Sequence, residues 1–175
     1  MTRTFKTEVI VLKKRNLLGK DLIITIFSRD RGKLKVFAKG IKKITSRRLS
    51  HIETGNLVEV LIYSKSERLY LQESKLISLF SQVKKDRQKL NQLYFILFIL
   101  DRILPENQKE LPVYNIFLKF IIALSKNKKQ EKEILSNYLN KILQLLGYTT
   151  EALPFAKSLT ILEEIISEKI PYFII

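Results

Sequence analysis

The sequence predicts an α+β protein, with an N-terminal β-barrel followed by an all-α helical domain. Up to about Phe80 the apolar segments are short, rich in β-branched residues and separated by turn signals. After Ser81 the apolar residues recur at helical spacing instead. The positive charge is also uneven, because residues 1–80 hold 18 of the 32 lysine and arginine residues but only 7 of the 17 acidic ones. We therefore expect two domains, residues 1–80 and residues 81–175.

The first domain contains five segments with the composition of β-strands. The sequence SRDRG between the second and third is typical of a hairpin turn, because Gly32 tolerates a positive φ. Five short strands in a segment of about 80 residues with a net positive charge favour an OB-fold barrel, an architecture that binds oligonucleotides. The predicted strands are residues 5–14, 22–28, 33–39, 56–64 and 69–79.

The second domain is predicted to be a bundle of four helices with wide apolar faces. Leucines at intervals of three, four and seven define the first helix, and Pro105 ends it. Pro112 suits the first turn of the second helix, and Gly147 follows the end of the third. The predicted helices are residues 83–104, 112–126, 131–146 and 155–169.

The third predicted strand combines an apolar face with a cationic one. Since side chains alternate along a strand, Leu34, Val36 and Ala38 face the core. The opposite face then carries Lys33, Lys35, Phe37 and Lys39. The basic run continues to residue 52, with eight lysines and arginines and no acidic residue between positions 31 and 52. A solvated loop in a lysine-rich chain explains the abundance but not the missing carboxylates, so we interpret the run as an anion-binding surface. For Phe37, burial under a loop or against the helical domain is an equally good interpretation.

Several kinds of catalytic site are not expected. The chain has no cysteine, which removes thiol chemistry and favours the cytoplasm. His51 is the single histidine, and we expect it to be structural. Neither GxGxxG nor GxxxxGK[ST] occurs. Asp21 and Asp30 are expected to order turns rather than bind a metal. We expect no enzyme activity and no cofactor.

The N-terminal segment has no apolar run typical of a signal peptide. The longest apolar run, residues 93–100, is eight residues long, against the roughly 20 that span a bilayer. We therefore expect no membrane association.

The first half of the chain carries an ordered series of motifs: a strand ending in Val11, Leu12, Lys13 and Lys14; a strand between Asp21 and Phe27-Ser28; the turn at Gly32; the strand end Ala38-Lys39-Gly40; and the basic loop reaching Ser46-Arg47. LDRILPE at residues 100–106 and LLGY at residues 145–148 follow in the second half. The order of these motifs resembles the RecO family of bacterial recombination mediators. Since LDRILPE and LLGY are similar to the family's helical domain, the resemblance covers roughly residues 5–150.

The chain departs from the family pattern at two places. Gly19 stands where members typically have an acidic residue, two positions before Asp21. After the LGY motif many members have a cysteine-bearing zinc module, whereas YTTEALPFAK follows here. The resemblance thus implies a shortened, zinc-free version.

The resemblance implies a DNA repair mediator that binds single- and double-stranded DNA and anneals strands. It also implies partners: a RecR-type protein, the C-terminal tail of single-strand-binding protein bound near Lys119 and Lys126, and indirectly RecA, in the bacterial cytoplasm on the nucleoid. Two alternatives remain, an RNA-binding OB-fold protein and a protein-interaction adaptor that binds no nucleic acid. The candidate DNA-binding residues, with the basic loop as the main contact, are Lys13, Lys14, Arg15, Lys33, Lys35, Phe37, Lys39, Lys42, Lys43, Arg47 and Arg48.

Overall fold

The computed structural model describes residues 3–43, 46, 48–126 and 131–170. The chain divides into two compact units, one built on the strands together with the segment Leu104–Glu110, and one built on the long helices. The predicted α+β fold, with a β-barrel first and helices second, is confirmed.

Five strands form a closed barrel in the order β1-β2-β3-β5-β4. Neighbouring strands pair antiparallel except β3 and β5, which pair in parallel through Val36 with Leu69 and Phe37 with Tyr70. This parallel pair closes the ring. The strands are β1 (Arg3–Asn16), β2 (Leu22–Ser28), β3 (Gly32–Ala38), β4 (Leu57–Lys65) and β5 (Arg68–Ser78).

Aliphatic side chains fill the barrel interior. In β3, Leu34, Val36 and Ala38 are at most 3% exposed and face inward, as the alternating pattern predicts. They pack with inward residues of the other strands, and Ile41 and Ile52 from the β3 to β4 connection join the same cluster with no exposed surface. Burying each such side chain contributes about 1.5–3 kcal/mol.

The segment Leu104–Glu110 packs against the start of β3. The backbone N–H of Asn107 donates to the carbonyl oxygen of Lys33 at 2.9 Å, and Lys33 forms an isolated parallel bridge with Glu106. Lys33 is consequently only 7% exposed. The expectation that Lys33 lies on the exposed face of β3 is therefore wrong, because a segment distant in sequence covers that end of the strand.

The helices follow the predicted pattern with local differences. The first predicted helix is interrupted, because Asp86 accepts hydrogen bonds from the backbone N–H groups of Gln88 and Lys89 and so begins a new helix. The last helix ends earlier than predicted, since Ser167 adopts a left-handed conformation. The helices are α1 (Arg48–His51), α2 (Ser81–Lys84), α3 (Arg87–Ile103), α4 (Leu111–Lys126), α5 (Glu131–Leu145) and α6 (Phe155–Ile166).

Helix α1 lies in the barrel unit, inside the basic run that we expected to be a loop. In the helical unit the largest apolar side chains are internal, and Phe95, Tyr114, Phe117 and Phe120 have no exposed surface. None of the helices in the described part of the chain is long and apolar enough to cross a bilayer.

Gly32 offers a test of the contact with Leu104–Glu110. Gly32 has a φ of 72°, and a Cβ added there would overlap the carbonyl of Gln108. Gly19 has a φ of 71° with no atom within 4 Å of that position, so Gly19→Ala introduces backbone strain alone. We expect Gly19→Ala to lower the free energy of unfolding by about 1–2 kcal/mol, and Gly32→Ala by a further ~1–3 kcal/mol. Urea denaturation measures both, and equal losses would contradict the packing of this segment against the β2 to β3 turn.

Candidate nucleic-acid interface

A shallow depression lies on the outer face of β1, β2 and β3. Its volume is about 270 Å³. Its residues come from directly paired strand positions, because Thr25 of β2 lies between Lys13 of β1 and Lys35 of β3. One row further along, Ile23 lies between Arg15 and Phe37. The lining residues are therefore Lys13, Arg15, Ile23, Thr25, Lys35 and Phe37.

A bulge in β1 decides that two of these cations face outward. The register shifts between Val11, which pairs with the core residue Ile26, and Lys13, which pairs with the outward Thr25. In a regular strand Val11 and Lys13 would share a face. The extra residue at the bulge moves Lys13 and Arg15 to the opposite face. The same short stretch of β1 thus supplies both the core and the cationic surface.

The depression combines positive charge with an accessible ring. Lys13, Arg15 and Lys35 are exposed, and Phe37 is half-buried with its ring on the outer face of β3. The Phe37 ring centre lies 5.7 Å from that of Tyr70 on β5. Cations beside an aromatic ring are the combination that binds a single strand, since phosphates pair with the cations and bases stack on the ring.

The carboxylate of Glu106 lies next to this depression. The Lys35 ammonium forms an ion pair with Glu106 at 2.5 Å, and the two side chains are 60% and 46% exposed. Such exposed pairs contribute only about 0.2–1 kcal/mol, so an incoming phosphate can displace the carboxylate.

Two other predicted contacts lie away from the depression. Lys14 pairs in register with the inward-facing Ile24, and its ammonium forms a 2.6 Å ion pair with Glu53. Arg48 lies in α1, where its guanidinium donates to the carbonyl oxygens of Lys39 at 3.0 Å and Leu71 at 3.1 Å. Arg48 therefore links the backbone at Lys39 to the backbone at Leu71, in addition to carrying charge.

The remaining predicted residues follow β3. Lys39 is exposed, with its ammonium 4.9 Å from the ring centre of Tyr70. Lys42 is half-buried and its ammonium lies 3.4 Å from the side-chain oxygen of Asn16. Lys43 is exposed. Arg47 lies outside the described residues.

The histidine and the two aspartates that were expected to be structural have hydrogen-bond partners. Nδ1 of His51 lies 3.0 Å from the carbonyl oxygen of Ser74, which agrees with the predicted structural role. Asp21 accepts the backbone N–H of Gly40 at 2.7 Å, and Asp30 accepts the hydroxyl of Thr7 at 2.9 Å. Both aspartates order turns, as predicted. No group of three or more potential metal ligands occurs among the described residues.

Sequence reasoning missed several residues of this surface. Ile23 and Thr25 complete the depression, and Tyr63, Arg68 and Tyr70 lie beside it on β4 and β5. The sequence signal that could have identified the two tyrosines is the alternation of inward and outward side chains in the fourth and fifth predicted strands. Tyr63 is next to the buried Ile62, and Tyr70 is next to the buried Leu71. That alternation places tyrosines on an outer face but does not say which strand lies next to them.

The comparisons with known proteins agree with this architecture. A family model described as "Recombination protein O N terminal" matches residues 1–80, which include all five strands. A DNA repair protein RecO from Caldanaerobacter subterraneus is 33% identical over 147 residues, covering 83% of this chain. The chain belongs to the RecO family.

Other RecO relatives match the same part of the chain. The RecO protein of Thermoanaerobacter sp. strain X514 is 34% identical over 148 residues, and that of Acetivibrio thermocellus is 26% identical over 143 residues. These alignments cover 83% and 82% of this chain, respectively. The chain spans 57–59% of the length of these curated relatives.

The pairing of Glu106 with Lys35 leads to a prediction for the binding of this chain to a polyanion. Glu106→Gln removes the carboxylate but keeps the side-chain length, so Lys35 gains full access to phosphate. We expect the affinity for a single-stranded oligonucleotide at low salt to rise about two- to fivefold. The matched control is Glu133→Gln, an equal charge change at an exposed position of α5. Fluorescence anisotropy measures both, and an equal gain in the two variants would show that only net charge matters.

Proposed function

We propose that this RecO chain is a non-enzymatic DNA repair and recombination mediator whose barrel binds single- and double-stranded DNA. The observation that carries the proposal is the depression in which Lys13, Arg15 and Lys35 share one outer face of the barrel with Phe37. Three cations contributed by two strands provide phosphate contacts, and the ring provides a stacking surface that tolerates any base. The relatives are DNA repair proteins of the RecO type, which supports the same role.

Strand annealing follows from the same electrostatics. Two complementary strands repel each other, and a protein that neutralises phosphates lowers this repulsion without bond chemistry. The net charge of +15 favours such an effect because it attracts polyanions before any specific contact forms. In this proposal the chain brings coated single strands together and helps to load a recombinase onto them.

The proposed partners are those that the family resemblance implies: a RecR-type protein, the acidic and apolar tail of single-strand-binding protein, and indirectly RecA, in a bacterial cytoplasm on the nucleoid. The helical unit is the proposed docking site for the tail. Exposed large aliphatic side chains on its helices support this, namely Ile122 at 48% and Leu145 at 46% exposure. Lys119 and Lys126 are exposed on α4, where they supply complementary charge.

The depression is tested by reversing its three charges. We expect the triple variant Lys13→Glu, Arg15→Glu, Lys35→Glu to bind a labelled single-stranded oligonucleotide much more weakly than the unchanged protein. If the unchanged protein contacts about five phosphates, log K falls with log salt at a slope near −3.5. Losing three contacts leaves a slope near −1.4. Anisotropy titrations at several salt concentrations give both values.

The control for this experiment carries the same charge change in the helical unit. Lys85→Glu, Arg87→Glu and Lys157→Glu alter three exposed residues, two of which lie in the first turn of a helix, where a carboxylate is favourable. Equal weakening in the two triple variants would contradict the site and leave only a net-charge effect. A second variant, Lys42→Glu with Lys43→Glu, tests the basic loop; Arg48 is kept because its hydrogen bonds hold the barrel backbone.

The nature of the ligand is decided in the same titrations. An RNA of equal length serves as competitor, and a clear preference for RNA would favour an RNA-binding OB-fold protein. Absence of binding to either nucleic acid at moderate salt would favour a protein-interaction adaptor and overturn the proposal.

A further inference from the structure

Three aromatic rings adjoin one another across β3, β5 and β4, and the rings of Tyr70 and Tyr63 stack on each other. The ring centres of Phe37 and Tyr70 are 5.7 Å apart, and those of Tyr70 and Tyr63 are 5.1 Å apart with planes inclined by 17°. The strand register produces this row, because Tyr70 pairs with Phe37 on one side and with Tyr63 on the other. All three side chains are half-buried. We call these three residues the aromatic row.

Two cations lie over the aromatic row. The Arg68 guanidinium carbon is 5.6 Å from the ring centre of Phe37, and the Lys39 ammonium is 4.9 Å from that of Tyr70. Both cations belong to exposed residues, so the ring faces they cover are the solvent side of the barrel. The row is thus accessible to a planar group from solution and carries positive charge at its surface.

The aromatic row is continuous with the depression. Phe37 belongs to both, so a chain lying across β3 passes from Lys13, Arg15 and Lys35 directly onto Tyr70. Stabilisation of the β4 to β5 hairpin explains one cross-strand pair, Tyr63 with Tyr70. It does not explain a third ring on β3 at the edge of a cationic depression, nor the two cations that cover the row.

We propose that the aromatic row is a stacking platform for unpaired nucleobases, with Lys39 and Arg68 as contacts for the neighbouring phosphates. The inference rests on the proposed function. It adds that the single-stranded ligand runs across β3, β5 and β4. A base displaces a cation from a ring favourably, because stacking of a base on an aromatic side chain is stronger than an exposed cation-π contact. In a duplex the bases stack on each other, so the platform selects for single strands.

The test compares two oligonucleotides that differ only in their bases. One is a labelled single strand, and the other is an abasic strand of the same length and phosphate charge. We expect the unchanged protein to bind the normal strand at least about fivefold more tightly. Tyr70→Ile, which keeps a residue suited to a strand, is expected to weaken binding of the normal strand about 5- to 150-fold and to leave the affinity for the abasic strand unchanged.

The matched control is Tyr94→Ile, the same replacement at an exposed tyrosine of α3, which should change neither affinity. If Tyr70→Ile lowers the affinity for the normal and the abasic oligonucleotide equally, or lowers neither, the stacking platform is overturned. Equal binding of normal and abasic strands by the unchanged protein also overturns it while leaving the charge-based proposal standing. This last comparison needs no substitution, so it decides the question even if Tyr70→Ile fails to fold. Failure of the unchanged protein to bind either strand overturns the proposed function together with this inference.

Discussion

The parallel pairing of β3 with β5 is the contact on which the barrel and its outer surface both depend. The other four strand pairs are antiparallel; one joins β1 to β4, and the remaining three join consecutive strands. The β3 to β5 pair instead joins segments about thirty residues apart and must offset the entropy of closing that loop. Arg48 supports the junction, since one guanidinium donates to the carbonyls of Lys39 after β3 and Leu71 in β5. Closure buries Val36 in the core and brings Phe37 beside Tyr70.

Because of the bulge in β1, the strand contributes side chains first to the core and then to the cationic surface. Before the bulge Val9 and Val11 point inward; after it Lys13 and Arg15 point outward next to Thr25 and Ile23. A regular strand would direct the side chains of Lys13 and Arg15 toward the barrel interior, where an uncompensated charge is very costly. The bulge therefore connects the packing of the core with the electrostatics of the outer face, and moving it by one residue would damage both.

The high positive charge of this RecO chain is divided between structural and surface roles. Lys14 is paired with Glu53, Lys33 is buried under Leu104–Glu110, and Arg48 binds backbone carbonyls. Lys13, Arg15, Lys35 and Lys39 are exposed, and the Lys35 ammonium forms an ion pair with Glu106. A count of basic residues thus overstates the charge available to a ligand. The placement of the exposed cations around Phe37 and Tyr70, rather than the net charge, defines the candidate site.

The sequence by itself determined the class of fold, the five strands to within a few residues, the inward face of β3 and the cationic character of its outer face, because these follow from local periodicity and composition. The sequence placed Phe37, Lys35 and Lys39 on that outer face for the same reason. Only the tertiary structure decided that Lys33 is covered, that Arg48 is a backbone clamp and that Tyr63 and Tyr70 continue the surface of Phe37. Each of these depends on a contact between residues far apart in the chain, and the periodicity of a strand carries no information about which strand lies beside it.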